Sequence, residues 1–443
     1  MRCTPAAGMA RAPREITVVG GGLAGVATCW HLLRAATGGA GGRGGREASS
    51  PVRVRLIEGH GALGAGASGA AAGLLHAWAP GGGRRLHWGE EGLRATGETL
   101  AAAEDWTRRR GSPPLARRSG VLRVARDAEQ SARWERLFAE GGVPAGLRTL
   151  SSAEAEALAP GIHAAGGVAL SGFDDKGPAA LHDPDGCVVD TRRYVEAMWG
   201  CCKELAEMTP GSTADLELGR HVESLAGLEA ELRPDAVIIA AGAAAEALPE
   251  LRGRLGLRLC LGHAVEIAPA GVSISDWPPD MPSLLGPVYL AARPGGAGAT
   301  LGSTKIWGAT PEEALRRDSR RPSDEGEARE VCAELLARAE ELWAPSAAWV
   351  PREVLAGVRA NTQRTHLGAL PYVGPVPGPP GRWLLTGLGA RGLVYHSLFA
   401  RWLAAAVLAG DPSGLPPECS AWLRRFDGVD DEQSRRDRLD TDP

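Results

Sequence analysis

Lysine is almost missing from this 443-residue chain: it occurs only at Lys176, Lys203 and Lys305, so 46 of the 49 basic residues are arginine. That bias reads as coding composition, not function. An excess of one charge is missing too. With 53 acidic residues the formal net charge is −4, so no strong positive field draws in nucleic acid or an anionic membrane. The eight cysteines (Cys3, Cys29, Cys187, Cys201, Cys202, Cys260, Cys332 and Cys419) contain no C-x-x-C pair. Adjacent Cys201 and Cys202 cannot readily bridge each other. The pattern argues against a disulfide framework and a zinc site, and fits a reducing compartment. No run reaches the roughly 18 apolar residues of a membrane helix; the nearest, 398–409, is interrupted by Arg401. The first fourteen residues hold three arginines and no acid, without the apolar stretch of a secretory signal. The expectation is a soluble intracellular protein without a membrane partner, cytoplasmic, or carrying the remnant of a plastid or mitochondrial targeting segment.

What is present fits a globular chain of two lobes. Hydrophobic residues make up 44%, and the 61 glycines and 32 prolines follow no collagen-like period. EITVVG (15–20) is a compact apolar run ending in glycine, the pattern of a buried parallel strand. Apolar residues recur at helical spacing over 23–36, a Gly/Arg-rich loop follows, and VRVRLIE (52–58) reads as a second strand. Further helices are expected at 89–110, 129–140, 191–207, 325–343 and 391–409. Further strands are expected at 119–125, 236–241, 258–267, 286–291, 299–303, 352–359 and 383–386. The block 262–350 lacks strand–helix alternation and reads as a largely antiparallel sheet with an added helix. The charged tail from Asp427 is expected to be disordered.

Gly20, Gly22 and Gly25 form G-x-G-x-x-G between that first strand and helix. Gly20 permits the tight turn, Gly22 lets a diphosphate approach the backbone, and Gly25 lets helix and strand pack closely. The helix N-terminus offers free N–H groups to the phosphates. An acid closing the second strand should accept from a ribose hydroxyl. Glu58 stands there, 33 residues after Gly25, or 18 once the loop 37–51 is set aside. Beyond Glu58 the chain continues in glycines, alanines and Ser68, whereas a nicotinamide domain would usually enter another helix. A flavin enzyme needs such a small-residue segment beneath the diphosphate and ribityl chain.

VVGGGLAG, GAGASGAAAGLLH, VIIAAGA, LGST and TGLGARGLVYHSLFARWLAAAVLAG occur in the order seen in the D-amino-acid oxidase-like FAD oxidoreductases. The chain resembles that family, which includes glycine oxidase, sarcosine oxidase and dimethylglycine dehydrogenase. Its two ends are most similar to the FAD oxidase half of the bifunctional enzymes that make 5-methylaminomethyl-2-thiouridine in tRNA. The resemblance implies a Rossmann-like FAD-binding domain with an inserted, mainly antiparallel α+β substrate lobe. The FAD domain would comprise 14–88, 186–257 and 351–425, the substrate lobe 89–185 and 258–350, and the tail 426–443. It further implies that Gly20, Gly22, Leu23, Ala24 and Gly25 hold the diphosphate and Glu58 the ribose. Ala67, Ser68 and Gly69 would bond the phosphates and ribityl chain, Val222 would face adenine, and Gly242 would close a strand near the cofactor. Gly387, Gly389, Arg391, Gly392 and Leu393 would turn N–H groups towards the flavin O2 edge.

On the same resemblance Arg359, in AGVRANT, would clamp a substrate carboxylate; the rival reading is a structural ion pair. The stretch TQRTHLGAL departs from the family, which commonly has an acid shortly before L-P. His76, in GLLHAW, would lie near the reactive face of the flavin, as a proton-handling residue or a structural one. His76 is not where relatives attach a covalent flavin, so non-covalent FAD is expected. Lys305 would face the flavin or solvent, and the arginines at 108–110, 117 and 118 read as a solvated face or an RNA contact. The expected activity is oxidation of a C–N bond in a small amine or amino acid by hydride transfer to FAD, with oxygen or another acceptor. FAD-dependent demodification of a tRNA wobble uridine and a non-catalytic flavin-binding role are the alternatives.

Overall fold

The computed structural model describes residues 12–38, 50–163, 177–270, 277–296, 298–320 and 324–426. The expected targeting segment, most of the Gly/Arg-rich loop and the charged tail lie outside these residues. Five parallel strands and one antiparallel edge strand form the smaller of the two main sheets, in the order Tyr372–Pro375, Arg382–Thr386, Ala236–Ile239, Arg14–Val19, Val52–Glu58, Thr213–Leu218. The central strand is covered on both faces, burying Ile16 and Val18 on one and Val19 on the other. Helix Leu23–Ala36 is buried almost all round, since it is wedged between this sheet, helix Thr191–Glu207 and the last helix Gly392–Ala409. Gly389–Ala409 is long and apolar enough to cross a membrane, but two thirds of it is buried inside the fold. Its apolarity is explained by packing.

The nine-stranded second sheet is mainly antiparallel and is built around the long pair Arg258–Pro269 and Trp349–Asn361. Helix Glu325–Leu342 covers it through Val331, Leu335, Ala339 and Leu342. At one end Trp277, Trp343 and Trp349 meet with ring centroids 5.1–5.9 Å apart. Trp343→Ala should cost about 3–5 kcal/mol and lower the denaturation midpoint of this lobe, which chemical unfolding followed by tryptophan fluorescence measures.

The expected strand at 286–291 is instead a hairpin, Ser283–Leu285 and Tyr289–Ala292, turned at Gly286–Pro287. Proline has no N–H for a ladder, so the chain turns there. The sheets face one another across a cavity of about 1020 Å³.

Candidate active site

At one end of the cavity the chain turns tightly from strand Arg14–Val19 into helix Leu23–Ala36. Gly20 has φ +111°, and a Cβ there would sit 2.5 Å from the Ala240 carbonyl oxygen. A Cβ on Gly25 would lie 1.9 Å from the Gly20 carbonyl oxygen, so strand and helix touch through bare backbone. Gly22, Leu23 and Ala24 line the cavity, and the first turn of the helix carries no acid. The Ser68 hydroxyl accepts from the Leu23 N–H at 3.1 Å. Buried Glu58 ends the second strand: its carboxylate accepts from the Gly21 N–H at 2.7 Å and the His60 N–H at 2.9 Å. Each Glu58 oxygen retains a lone pair for another donor.

From this turn the wall continues through Ala67, Ser68, Val222 and Gly242 to Gly387, Gly389, Gly392 and Leu393. Gly242, Gly387 and Gly389 all have positive φ, and a Cβ on Gly387 would lie 2.2 Å from the Thr362 side chain. Three of the expected site residues do not line the cavity. Gly25 makes the close helix–strand packing expected of it, and Gly69 is packed too: a Cβ there would meet the Gly64 carbonyl oxygen at 2.3 Å. Arg391 is set among neighbours whose burial of it lowers its pKa, a shift that Tyr395 opposes.

The opposite wall belongs to the larger sheet. A Cβ on Gly357 would lie 2.8 Å from the Ala67 Cα, so this strand runs directly against the small-residue segment. Two residues on, the same face carries Arg359. Its guanidinium donates to the Thr304 carbonyl at 3.3 Å and has no carboxylate partner among the described residues. Gly262 makes room for it, since a Cβ there would sit 2.5 Å from the Arg359 Nη2. Tyr289 also lines the cavity; burial pushes its hydroxyl up to about 12, with Arg359 pulling the other way. It is therefore a protonated donor at neutral pH. Buried His263 bonds the Thr304 hydroxyl at 2.8 Å and Glu327 at 3.1 Å, and Glu327 in turn pairs with Arg317 at 2.7 and 2.8 Å.

His76 lies in the wall, its Nδ1 accepting from the Trp78 N–H at 3.2 Å. Burial, reinforced by Arg123 and Arg391, pushes the imidazole down to about 3. His76 is thus neutral with its proton on Nε2: a donor that can orient a group, and a poor base at pH 7. His76→Gln should leave rates within about fivefold and the profile between pH 5 and 8 unchanged, because glutamine supplies an uncharged N–H donor. An inflection near pH 6.5 that vanished in this variant would contradict a neutral His76.

A family profile described as FAD dependent oxidoreductase matches residues 15–406. The chain belongs to this family. Across 92% of its length it is 28% identical to the tRNA 5-methylaminomethyl-2-thiouridine biosynthesis bifunctional protein MnmC of Thiobacillus denitrificans, spanning 58% of that protein. Among solved structures it is similar to glycine oxidase from Geobacillus kaustophilus (TM-score 0.66, 20% identity, 93% of this chain and 98% of that one). It is also similar to L-proline dehydrogenase from P. horikoshii (TM-score 0.61, 16% identity, 94% and 98%).

The protein is therefore an FAD-dependent oxidoreductase, and its cavity fits that cofactor. The Gly20–Ala24 turn presents a helix start without an acid, and Gly22 has only the Ser68 side chain near its missing Cβ. An extended dinucleotide could run from Val222 and Glu58, past this turn and the 67–74 segment, to the glycine turn at 387–392. Of the residues lining the site, Arg123, Tyr289 and His263 were not expected from the sequence. For Arg123 a signal exists: GVLRVA places one arginine within an otherwise apolar strand.

Proposed function

We propose that this FAD-dependent oxidoreductase oxidises a C–N bond of a carboxylate-bearing amine or amino acid. The observation that carries the reading is Arg359, a cation in the cavity wall with no carboxylate partner among the described residues. A half-buried guanidinium with only a carbonyl and a thiol as partners is open to a ligand anion, and its planar fork matches a carboxylate. In this reading Arg359 fixes the substrate carboxylate, and Tyr289 and His76 offer protonated donors around the amine-bearing carbon. FAD, when bound non-covalently, supplies the two-electron acceptor for the hydride. An amine that arrives neutral needs no strong base, in keeping with a neutral His76, and the resulting imine hydrolyses in water. Gly20, Gly22, Leu23, Ala24 and Ser68 would hold the diphosphate, Glu58 the ribose, and the 387–393 turn the flavin edge. Exposed Lys305 lies at the rim, where it can meet either an acceptor or solvent.

Anaerobic mixing of the yellow holoprotein with amines, amino acids and N-methyl amino acids tests the proposal. Bleaching of the flavin by a carboxylate-bearing amine is expected; no bleaching by any member of the panel would overturn it. The same panel in air, with peroxide detection, identifies oxygen or another acceptor.

The resemblance to MnmC favours a second reading, action on a modified tRNA uridine. Against it, the arginines at 108–110, 117 and 118 are compensated: Arg109 and Arg110 pair with Glu204, Arg108 with Asp105, Arg118 with Glu104, and Arg117 donates to the carbonyls of Pro278 and Pro279. Turnover of the modified nucleoside in tRNA, measured beside the free amines, separates the two.

A further inference from the structure

The cations lining the cavity divide into two kinds. Arg317 is held by Glu327, Arg220 by Glu217 and Glu231, and Arg126 by Asp127 at 2.9 Å. Arg359, Arg123 and exposed Lys305 have no carboxylate among the described residues, and Arg123, half-buried where Lys305 is exposed, makes no hydrogen bond there. Arg123 lies in strand Val121–Val124, opposite Leu181 in the ladder and therefore on the same face as that leucine. Gly82 packs on its stem: a Cβ there would sit 2.9 Å from Leu181, 3.1 Å from the Arg123 Cδ and 3.3 Å from Trp134. The stem is thus set among apolar groups while the residue lines the cavity. Burial, with the Arg391 guanidinium acting in the same direction, lowers the Arg123 pKa to about 10. A guanidinium whose stem is set among apolar groups, with no acid among the described residues to relieve it, is a poor arrangement for the protein alone and a good one for an anion.

We propose that Arg123 forms a second anion-binding subsite, so that the amine taken up carries two carboxylates, one on Arg359 and the other on Arg123. The inference rests on the amine-oxidation reading for its reaction but not for its binding. Titration of the FAD-loaded protein with unreactive diacids (malonate, succinate, glutarate, adipate) and their monoacids, read by the flavin spectrum and thermal shift, tests it. The best diacid is expected to bind at least about 30-fold more tightly than its monoacid, the gain of one desolvated charge-assisted pair. Arg123→Gln should reduce that ratio to about threefold or less with FAD content unchanged, and Arg123→Lys should retain part of it. Likewise, iminodiacetate should show a far lower KM than N-methylglycine, and Arg123→Gln should abolish that difference. Equal binding of diacids and monoacids by the unaltered protein would overturn the subsite. So would an Arg123→Gln that weakens both alike or loses FAD. Selective diacid binding without flavin bleaching by any amine would support the subsite and overturn amine oxidation instead.

Discussion

Gly22→Asp is expected to give a folded protein that purifies colourless. Gly22 adopts φ −82°, open to any residue, and its added Cβ would meet only the Ser68 hydroxyl, at 2.9 Å. Aspartate is moreover a favourable residue at a helix N-cap, so stability should hold or rise slightly. The carboxylate would stand in the proposed diphosphate site. Two like charges about 4 Å apart at an effective dielectric near 20 repel by about 4 kcal/mol, roughly a thousandfold in affinity. Gly25→Ala provides the contrast. With 1.9 Å between its Cβ and the Gly20 oxygen, it should lose soluble folded protein altogether. Flavin absorbance per mole of protein, with circular dichroism on the same samples, distinguishes the two outcomes. A Gly22→Asp protein retaining full FAD would remove the diphosphate from this turn.

Arg359→Ala is expected to lower kcat/KM for a carboxylate-bearing amine by about a thousandfold, with FAD content unchanged. A desolvated guanidinium–carboxylate pair made through two hydrogen bonds typically accounts for several kcal/mol when one partner is removed. Most of the loss should appear in KM, since the carboxylate is bound alike before and during the reaction. Arg359→Lys should recover only part, because an ammonium lacks the planar fork. The concentration dependence of anaerobic flavin reduction reads both quantities. Kinetics unchanged in Arg359→Ala would exclude this residue from substrate binding.

The parts of the fold most legible in the sequence are those whose cause is local. The run EITVVG, three glycines at fixed spacing and Glu58 each reflect a steric or hydrogen-bonding need that one segment satisfies, and they meet in space as that need dictates. Arg359 was legible only through resemblance; nothing in AGVRANT announces that Gly357 packs on Ala67. Strand Thr213–Leu218 escaped because it is a sheet edge: none of its residues is fully buried, so TADLEL carries no clean apolar alternation. Strand Ala180–Asp183 (ALHD) hides for the opposite reason, since its polar members His182 and Asp183 are buried. Asp183 accepts from the Trp78 indole at 2.8 Å, a partner more than a hundred residues away. Arg123's place in the cavity wall is likewise a product of topology, since its strand reaches the cavity only through pairing with Ala180–Asp183 and Ser283–Leu285.

Quantifying FAD in the purified protein, before and after incubation with excess FAD, tests the account most directly. About one FAD per chain, released by acid or denaturant because it is not covalently attached, is the predicted result. Protein that folds yet neither carries nor takes up FAD would contradict it.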